Sequence, residues 1–544
     1  MSMITTATWV PRGFAAPFPT KYNFDEAEFE RIAELAKLQL EDAQEDLGEA
    51  QDNTKPESSK EKSKKQFKQS QKPKEKDTDV DLDDDDLEEY DLEHYDDEDD
   101  EVEGQGMAMF GNIKSLAYYE SNKDDPYITL PEGEDDDEER EELQILATDN
   151  LLLAAKIEDE LAHLEVYVYE DAADNLYVHH DIMLPAIPLC VEWLNIPVGN
   201  KPGVEKDAPA NFVAVGSFDP DIEIWDLDTI DCMYPNAILG QGGSGADEKK
   251  KKKKKSKKAN DEYHVDAVLS LAANRNHRNL LASASADKTV KLWDLHTTKC
   301  AKSYTYHTDK VCSLAWHAVE TTVLLSGSYD RTVAVADMRA PAAAPTRVGV
   351  ESDVETVRWD PHDSNYFFVS TENGLIHYFD VRNATADPAV SKSVWKLQAH
   401  DESVSSFDVN PFIPGFMATG STDKTVKLWN IGPSGPSMVV SRDFGVGRVF
   451  ATSFAPDQEV AFRLAVAGSK GTVSVWDTST NGAVRKIFGH KVPNQGPQEA
   501  DATVEDRLVG VDDDEESSSS EGEDEEEGEG GATVDSEDES MDDA

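Results

Sequence analysis

The chain has 544 residues, 38% of them hydrophobic and 30% charged, with a formal net charge of −59. That composition is too lean for a chain packed throughout. The acidity sits in three runs, 77–103, 120–142 and 499–544, which carry −18, −10 and −21 and leave only −10 for the rest, so a uniformly acidic fold is excluded. Four cysteines, Cys190, Cys232, Cys300 and Cys312, form no CxxC pair and have no histidine cluster nearby. Neither a zinc ribbon nor a disulfide scaffold fits them, and reduced thiols are expected. The start, "MSMITTATWVPRGF", lacks the apolar core of a signal peptide, and no apolar run reaches bilayer length. A soluble, non-secreted chain without a membrane partner is expected.

In chain order, residues 1–48 read as an anchor segment followed by an amphipathic helix. Asp25 and Glu26 favour a helix start, and Phe29, Ile32, Ala33, Leu35, Ala36 and Leu40 fall at helical spacing. One apolar face, together with Trp9, Phe14 and Phe18, suits a partner's groove; packing back on the chain's own folded domain is the competing reading. Residues 49–142 are charged and read as mostly disordered linker, because self-repelling acidic runs bury too little apolar surface to offset the entropy of ordering. A lysine-rich stretch, "KEKSKKQFKQSQKPKEK", occupies 60–76.

Between residues 143 and 490 the texture changes to short β-branched runs punctuated by Gly, Asp, Asn and Pro, as expected of many short antiparallel strands. "SADKTVKLWD" (285–294), "SYDRTVAVAD" (328–337), "STDKTVKLWN" (421–430) and "GSKGTVSVWD" (468–477) share one pattern, with weaker copies at 217–226 and 371–380. Its aromatic position falls at Trp225, Trp293, Ala336, Phe379, Trp429 and Trp476, at intervals of 68, 43, 43, 50 and 47. A period in the forties with this ending is the signature of WD repeats, four strands per blade of a propeller. An earlier blade read in "LQILATDNLLLAAKIEDELAHLEVYVYED" brings the count to seven. The predicted fold is therefore all-β: a seven-bladed WD-repeat propeller over 143–490, with a short N-terminal helix and long disordered acidic extensions.

The long interval holds an insertion, 240–262, with Lys249, Lys250, Lys251, Lys252, Lys253, Lys254, Lys255, Lys257 and Lys258. A nuclear import signal, a contact to RNA phosphate, an internal counterion for the acidic tails and a solvated loop without a role all fit such a block. Two blades repeat a polar set, His264, Ser283, Asp287 and Trp293 in one and His400, Thr419, Asp423 and Trp429 in the other, with His307, Ser326 and Asp330 as a partial third copy. A hydroxyl, an imidazole and a carboxylate make catalytic triads elsewhere, but an enzyme needs one site and this set is periodic. The structural reading, a hydrogen-bonded network holding each blade, is the stronger. Trp193, Trp316 and Trp359 sit on the first strands and read as packing between blades, with an exposed anchor for a partner as the weaker alternative. No GxxxxGK[ST], HExxH or GxSxG motif is present, so no cofactor, metal or small-molecule substrate is expected. "GQGGSG" at 240–245 reads as linker. The tail, 491–544, reads as a disordered, acidic, Ser-rich extension. Ser518, Ser520, Ser536 and Ser540 each have an acid three residues on, the spacing an acidophilic kinase requires.

With these blades, "TATWVPRGFAAPFPTKYNFDEAEFERIAELAKLQLEDA" (6–43), "IKSLAYYESNKDDPYITLP" (113–131) and "LATDNLLLAAKIEDELAHLEVYVYE" (146–170) resemble the periodic tryptophan protein family. The resemblance covers nearly the whole chain; Ala336 and Phe379 depart from it where Trp is expected. It implies a non-enzymatic scaffold of the nucleus and nucleolus that acts in pre-rRNA processing and early assembly of the large (60S) ribosomal subunit. The implied partners are pre-60S particles: assembly factors, ribosomal proteins and pre-rRNA. The rival reading is a chromatin-binding propeller, with histones as partners and a role in transcription regulation.

Overall fold

The computed structural model describes residues 2–22, 143–159, 161–198, 208–240, 260–340, 343–385, 388, 391–491 and 506–511. Seven four-stranded antiparallel sheets form a seven-bladed β-propeller. Blade 1 consists of Met3–Val10, Asn150–Glu158, Leu161–Glu170 and Asn175–Leu184, running from the central channel outwards. Blades 2 to 6 occupy 188–239, 268–304, 311–349, 354–398 and 406–443. Blade 7 consists of Val449–Phe454, Arg463–Gly468, Val473–Asp477 and Leu508–Val511. Each innermost strand neighbours the next around the channel, and that of blade 7 meets that of blade 1, so the ring is closed.

The sequence pattern explains the layers. Second strands such as Phe212–Ser217 and Arg463–Gly468 are buried along their whole length, because a blade's inner strands are covered on both faces. The outer strand Asn175–Leu184 approaches a strict alternation of exposed and buried residues, as a strand with one wet face should. Seven apolar clusters result, one at each junction between blades. The turn between second and third strands carries a left-handed residue in every blade but blade 2. Lys288, Arg331 and Lys424 adopt it at φ 70°, 64° and 72°, while blades 5 and 7 use Gly374 and Gly471.

Two boundaries differ from the sequence reading. Residues 3–10 are not a free anchor: they are the innermost strand of blade 1, separated from their partner strand by 139 residues. Ile4, Trp9 and Val10 are buried at 0–5% exposure, and an Ile/Thr/Trp/Val strand gains more from that burial than from solvent. Likewise 491–544 is not wholly an extension, because Leu508–Val511 pairs with Val473–Trp476 as the outer strand of blade 7. The α-helix found among the described residues is Gly482–Phe488. Asn481 caps it, accepting from the Ala483 amide at 2.9 Å, and Phe488 packs on Phe416 with ring centroids 4.3 Å apart. The helix expected after Asp25, with Phe29, Ile32 and Leu35, lies outside the described residues, as do the lysines of 249–258 and Ser518, Ser520, Ser536 and Ser540.

Candidate functional site

The polar sets of blades 3 and 6 are assembled alike. His264 Nδ1 lies 2.9 Å from Asp287 Oδ2 and Nε2 lies 2.6 Å from Ser283 Oγ, which accepts the Trp293 indole N–H at 2.8 Å. In blade 6, His400 meets Asp423 and Thr419 at 2.8 Å each, and Trp429 donates to Thr419 Oγ1 at 3.0 Å. In each set the hydroxyl lies 19 residues and the acid 23 residues beyond the histidine. One proton order satisfies every member: the indole N–H to the hydroxyl oxygen, the hydroxyl proton to Nε2, and the Nδ1 proton to the carboxylate. The histidine is then neutral. Burial holds the His264 and His400 imidazoles below the usual histidine range against the pull of their aspartates. Burial alone would raise Asp287, but hydrogen bonds from His264 and Thr289 outweigh it and bring its carboxyl down to about 2.

Ser283 and Thr419 are 0% exposed and already accept an indole proton. No substrate carbonyl reaches them, so the triad-like geometry serves to brace the blade. Blades 2, 4 and 7 satisfy the same need with other groups. In blade 4, where Ala336 stands in the tryptophan position, His307 binds Asp330 and Ser326, and Ser326 binds the hydroxyl of the half-buried Tyr306 at 3.2 Å. Trp225 donates to Glu223 at 3.2 Å and Trp476 to Asp506 at 3.0 Å. Sequence reasoning missed Tyr306, Glu223 and Asp506, since none occupies the repeat's hydroxyl position. The unmet indole of Trp225 and of Trp476 was the available signal.

The end of the channel where the innermost strands finish is a concave surface of about 630 Å³, to which all seven blades contribute. Tryptophans pin it together. Trp316 Nε1 donates to Ala272 O at 2.9 Å and Trp359 Nε1 to Ala315 O at 3.1 Å, each bridging to the preceding blade. Trp9 does the same across the closing seam, donating to Ser453 O at 3.1 Å, so it is not a partner anchor: its indole is already used inside the ring. Phe14 packs edge-on to Trp193 at 4.7 Å, while Phe18 is 36% exposed. The charges on this mouth are mixed. Arg275 pairs with Glu192 at 2.8 Å and lies 5.1 Å over the Trp193 ring; Asp408 is raised by burial, with Arg358 4.0 Å away. A surface of this breadth, with paired charges and no exposed nucleophile, suits protein contact better than small-molecule chemistry. Among the described residues, no group of three or more His, Cys, Asp or Glu is placed to hold a metal, and no helix is long and apolar enough to cross a membrane.

Comparison with known proteins agrees with this architecture. The family model for the WD domain, G-beta repeat, matches residues 258–294, 298–337 and 391–430, the three blades that keep a histidine network. An uncharacterized WD repeat-containing protein of Schizosaccharomyces pombe is 53% identical over 94% of this chain and 96% of its own length. Periodic tryptophan protein 1 of Saccharomyces cerevisiae is 40% identical over 90% of this chain and 91% of its own. The Drosophila melanogaster homolog of that protein is 30% identical over 90% and 97%. With likeness that runs through the extensions as well as the blades, the chain belongs to the periodic tryptophan protein 1 family of WD-repeat proteins.

Proposed function

We propose that this chain is a non-enzymatic scaffold in the nucleus and nucleolus, acting in pre-rRNA processing and early assembly of the large ribosomal subunit. The observation that carries this reading is the extent of the family likeness, 90% of the chain against periodic tryptophan protein 1, together with the resemblance of the N-terminal and first-blade phrases. The burial of the His and hydroxyl members of these sets supports a role in binding rather than chemistry. The lysine block, an insertion between blades 2 and 3, supplies either nuclear import or contact with rRNA phosphate. Sedimentation of extracts tests the reading. Ribonuclease treatment should move the protein from large particles to the free fraction, while deoxyribonuclease should leave it in place. Release by deoxyribonuclease alone would overturn the ribosomal role in favour of chromatin.

A further inference from the structure

Blade 5 lacks the polar network of its neighbours. Aligning Trp359 with Trp316 through their pairings with Phe367 and Leu324 places Val350 where blade 4 has His307, and Val369 where it has Ser326. Phe379 takes the tryptophan position and Gly349 that of Tyr306. Loss of two large polar rings leaves a cavity of about 580 Å³ between the outer parts of blades 4 and 5. His377 and Phe379 form its floor, their rings stacked at 5.9 Å and 11°. The position of His377 holds lysine in blades 3 and 6. There Lys291 Nζ donates to Ser303 Oγ at 2.9 Å and to Asn260 O, and Lys427 Nζ to Ala399 O at 2.9 Å. His377 is too short for such a reach. It is 1% exposed, and neither ring nitrogen has a hydrogen-bond partner. Buried polar atoms in that condition are uncommon and costly.

The rim supplies charge. Arg331, Lys392 and Lys396 stand around the opening with Ser391, Ser393 and one carboxylate, Glu351. Lys396 is paired with Glu351 and Arg331 Nε with Asp353 at 3.1 Å. Lys392 makes no ion pair among the described residues. Ser391 Oγ already donates to Arg347 O at 3.0 Å, so one uncommitted cation, the Ser393 hydroxyl and a neutral imidazole face the opening, which suits a single oxyanion, whereas Glu351 on the rim disfavours a polyanionic backbone. Burial, helped by Lys396, pushes His377 down to about 4, so at neutral pH the ring offers one N–H donor and one acceptor. Lys396 also belongs to Trp395–Gln398, the short outermost strand of the blade, which is hydrogen-bonded on one side only in the sheet. An open strand edge beside a pocket is the arrangement that admits an extended peptide with one side chain inserted.

We propose that this cavity is a docking pocket for one oxyanion-bearing side chain, phosphoserine or glutamate, of an extended partner peptide laid along Trp395–Gln398. The proposal is independent of the ribosomal role. The test uses purified full-length chain and three labelled nonapeptides of one Val/Thr sequence, with phosphoserine, glutamate or serine at the centre. Fluorescence anisotropy should show the phosphoserine or the glutamate peptide binding at least about tenfold tighter than the serine peptide, the better of the two identifying the source. Lys392→Glu, a surface change, should remove that preference, and so should His377→Phe if it retains the wild-type melting temperature. In NMR spectra of the imidazole-labelled chain, the His377 resonances should move on adding the anionic peptides. Equal binding of the serine peptide, affinity unaltered in Lys392→Glu, or an RNA decamer that binds with the same sensitivity to these variants would overturn it.

Discussion

At the scale of the residue, the family's polar positions are framework, and how deeply each is buried sets what its loss costs. Asp287 and Asp423 play the same part, accepting from histidine Nδ1 and from the threonine two residues on. The Asp287 side chain is 1% exposed and that of Asp423 is 20%. Removing either carboxylate strands the histidine's donor and that threonine hydroxyl, at a cost of about 1–3 kcal/mol. Water reaches the Asp423 site more readily, so Asp287→Ala should be the more damaging of the two. Urea denaturation of both variants measures it; an Asp423→Ala loss equal to or larger than that of Asp287→Ala would contradict the argument. These networks were legible in the sequence because the same residue types recur at the same spacing. The acceptors in blades 2, 4 and 7 were not, because Tyr306 precedes its histidine and Asp506 is separated from Trp476 by a long connection.

At the scale of the element, the decisive strand is Met3–Val10. Its composition, "MITTATWV", is that of a strand, but its partner, Asn150–Glu158, lies beyond the acidic linker, and local reading has no means of joining segments so far apart. The outer strand Leu508–Val511 was hidden for another reason: four apolar or small residues inside an acidic run give too little periodicity to detect. The repeat itself was legible because every blade rewrites it. The N-terminal strand also carries the closing contacts. Thr5 Oγ1 donates to Pro188 O at 2.9 Å towards blade 2, Trp9 donates to Ser453 O, and the Arg12 amide and guanidinium reach Asp457 and Glu459 of blade 7 at 3.1 and 2.7 Å. Deleting residues 1–12 should therefore abolish cooperative thermal unfolding, because it leaves blade 1 without its inner strand and the channel wall open. Deleting 512–544 should leave the melting temperature unchanged. A chain beginning at residue 13 that melts within a few degrees of wild type would show that the ring closes without that strand.

At the scale of the whole molecule, no blade borrows a strand from its neighbour, and the ring is held at the seam by side chains. An apolar cluster joins Ile4, Trp9, Tyr167 and Tyr169 to Ala451, Val460 and Val473. Arg463 pairs with Asp171 at 2.6 Å and with Asp477 at 2.7 Å, and Arg507 pairs with Asp174. Stability then sums over junctions that respond to acid in opposite ways. Burial lowers the histidines of blades 1, 3, 5 and 6, to about 4 for His180 and His377. An unfolded chain binds those protons from 6.5 downwards, so acidification erodes these blades. Glu223 of blade 2 behaves the other way. Burial raises it to about 7, and Asp219 and Asp221 push further, against the Trp225 hydrogen bond. Its unfolded counterpart ionises near 4.5, so its contribution is complete below 4.5 and is lost as pH rises through about 7. Glu223→Gln keeps an oxygen to accept the Trp225 indole and removes the buried charge. The variant should melt several degrees above wild type at pH 8, with the gain shrinking towards zero at pH 4.5. A gain of the same size at both pH values would mean that the amide improves packing and that ionisation of Glu223 sets no limit on the ring.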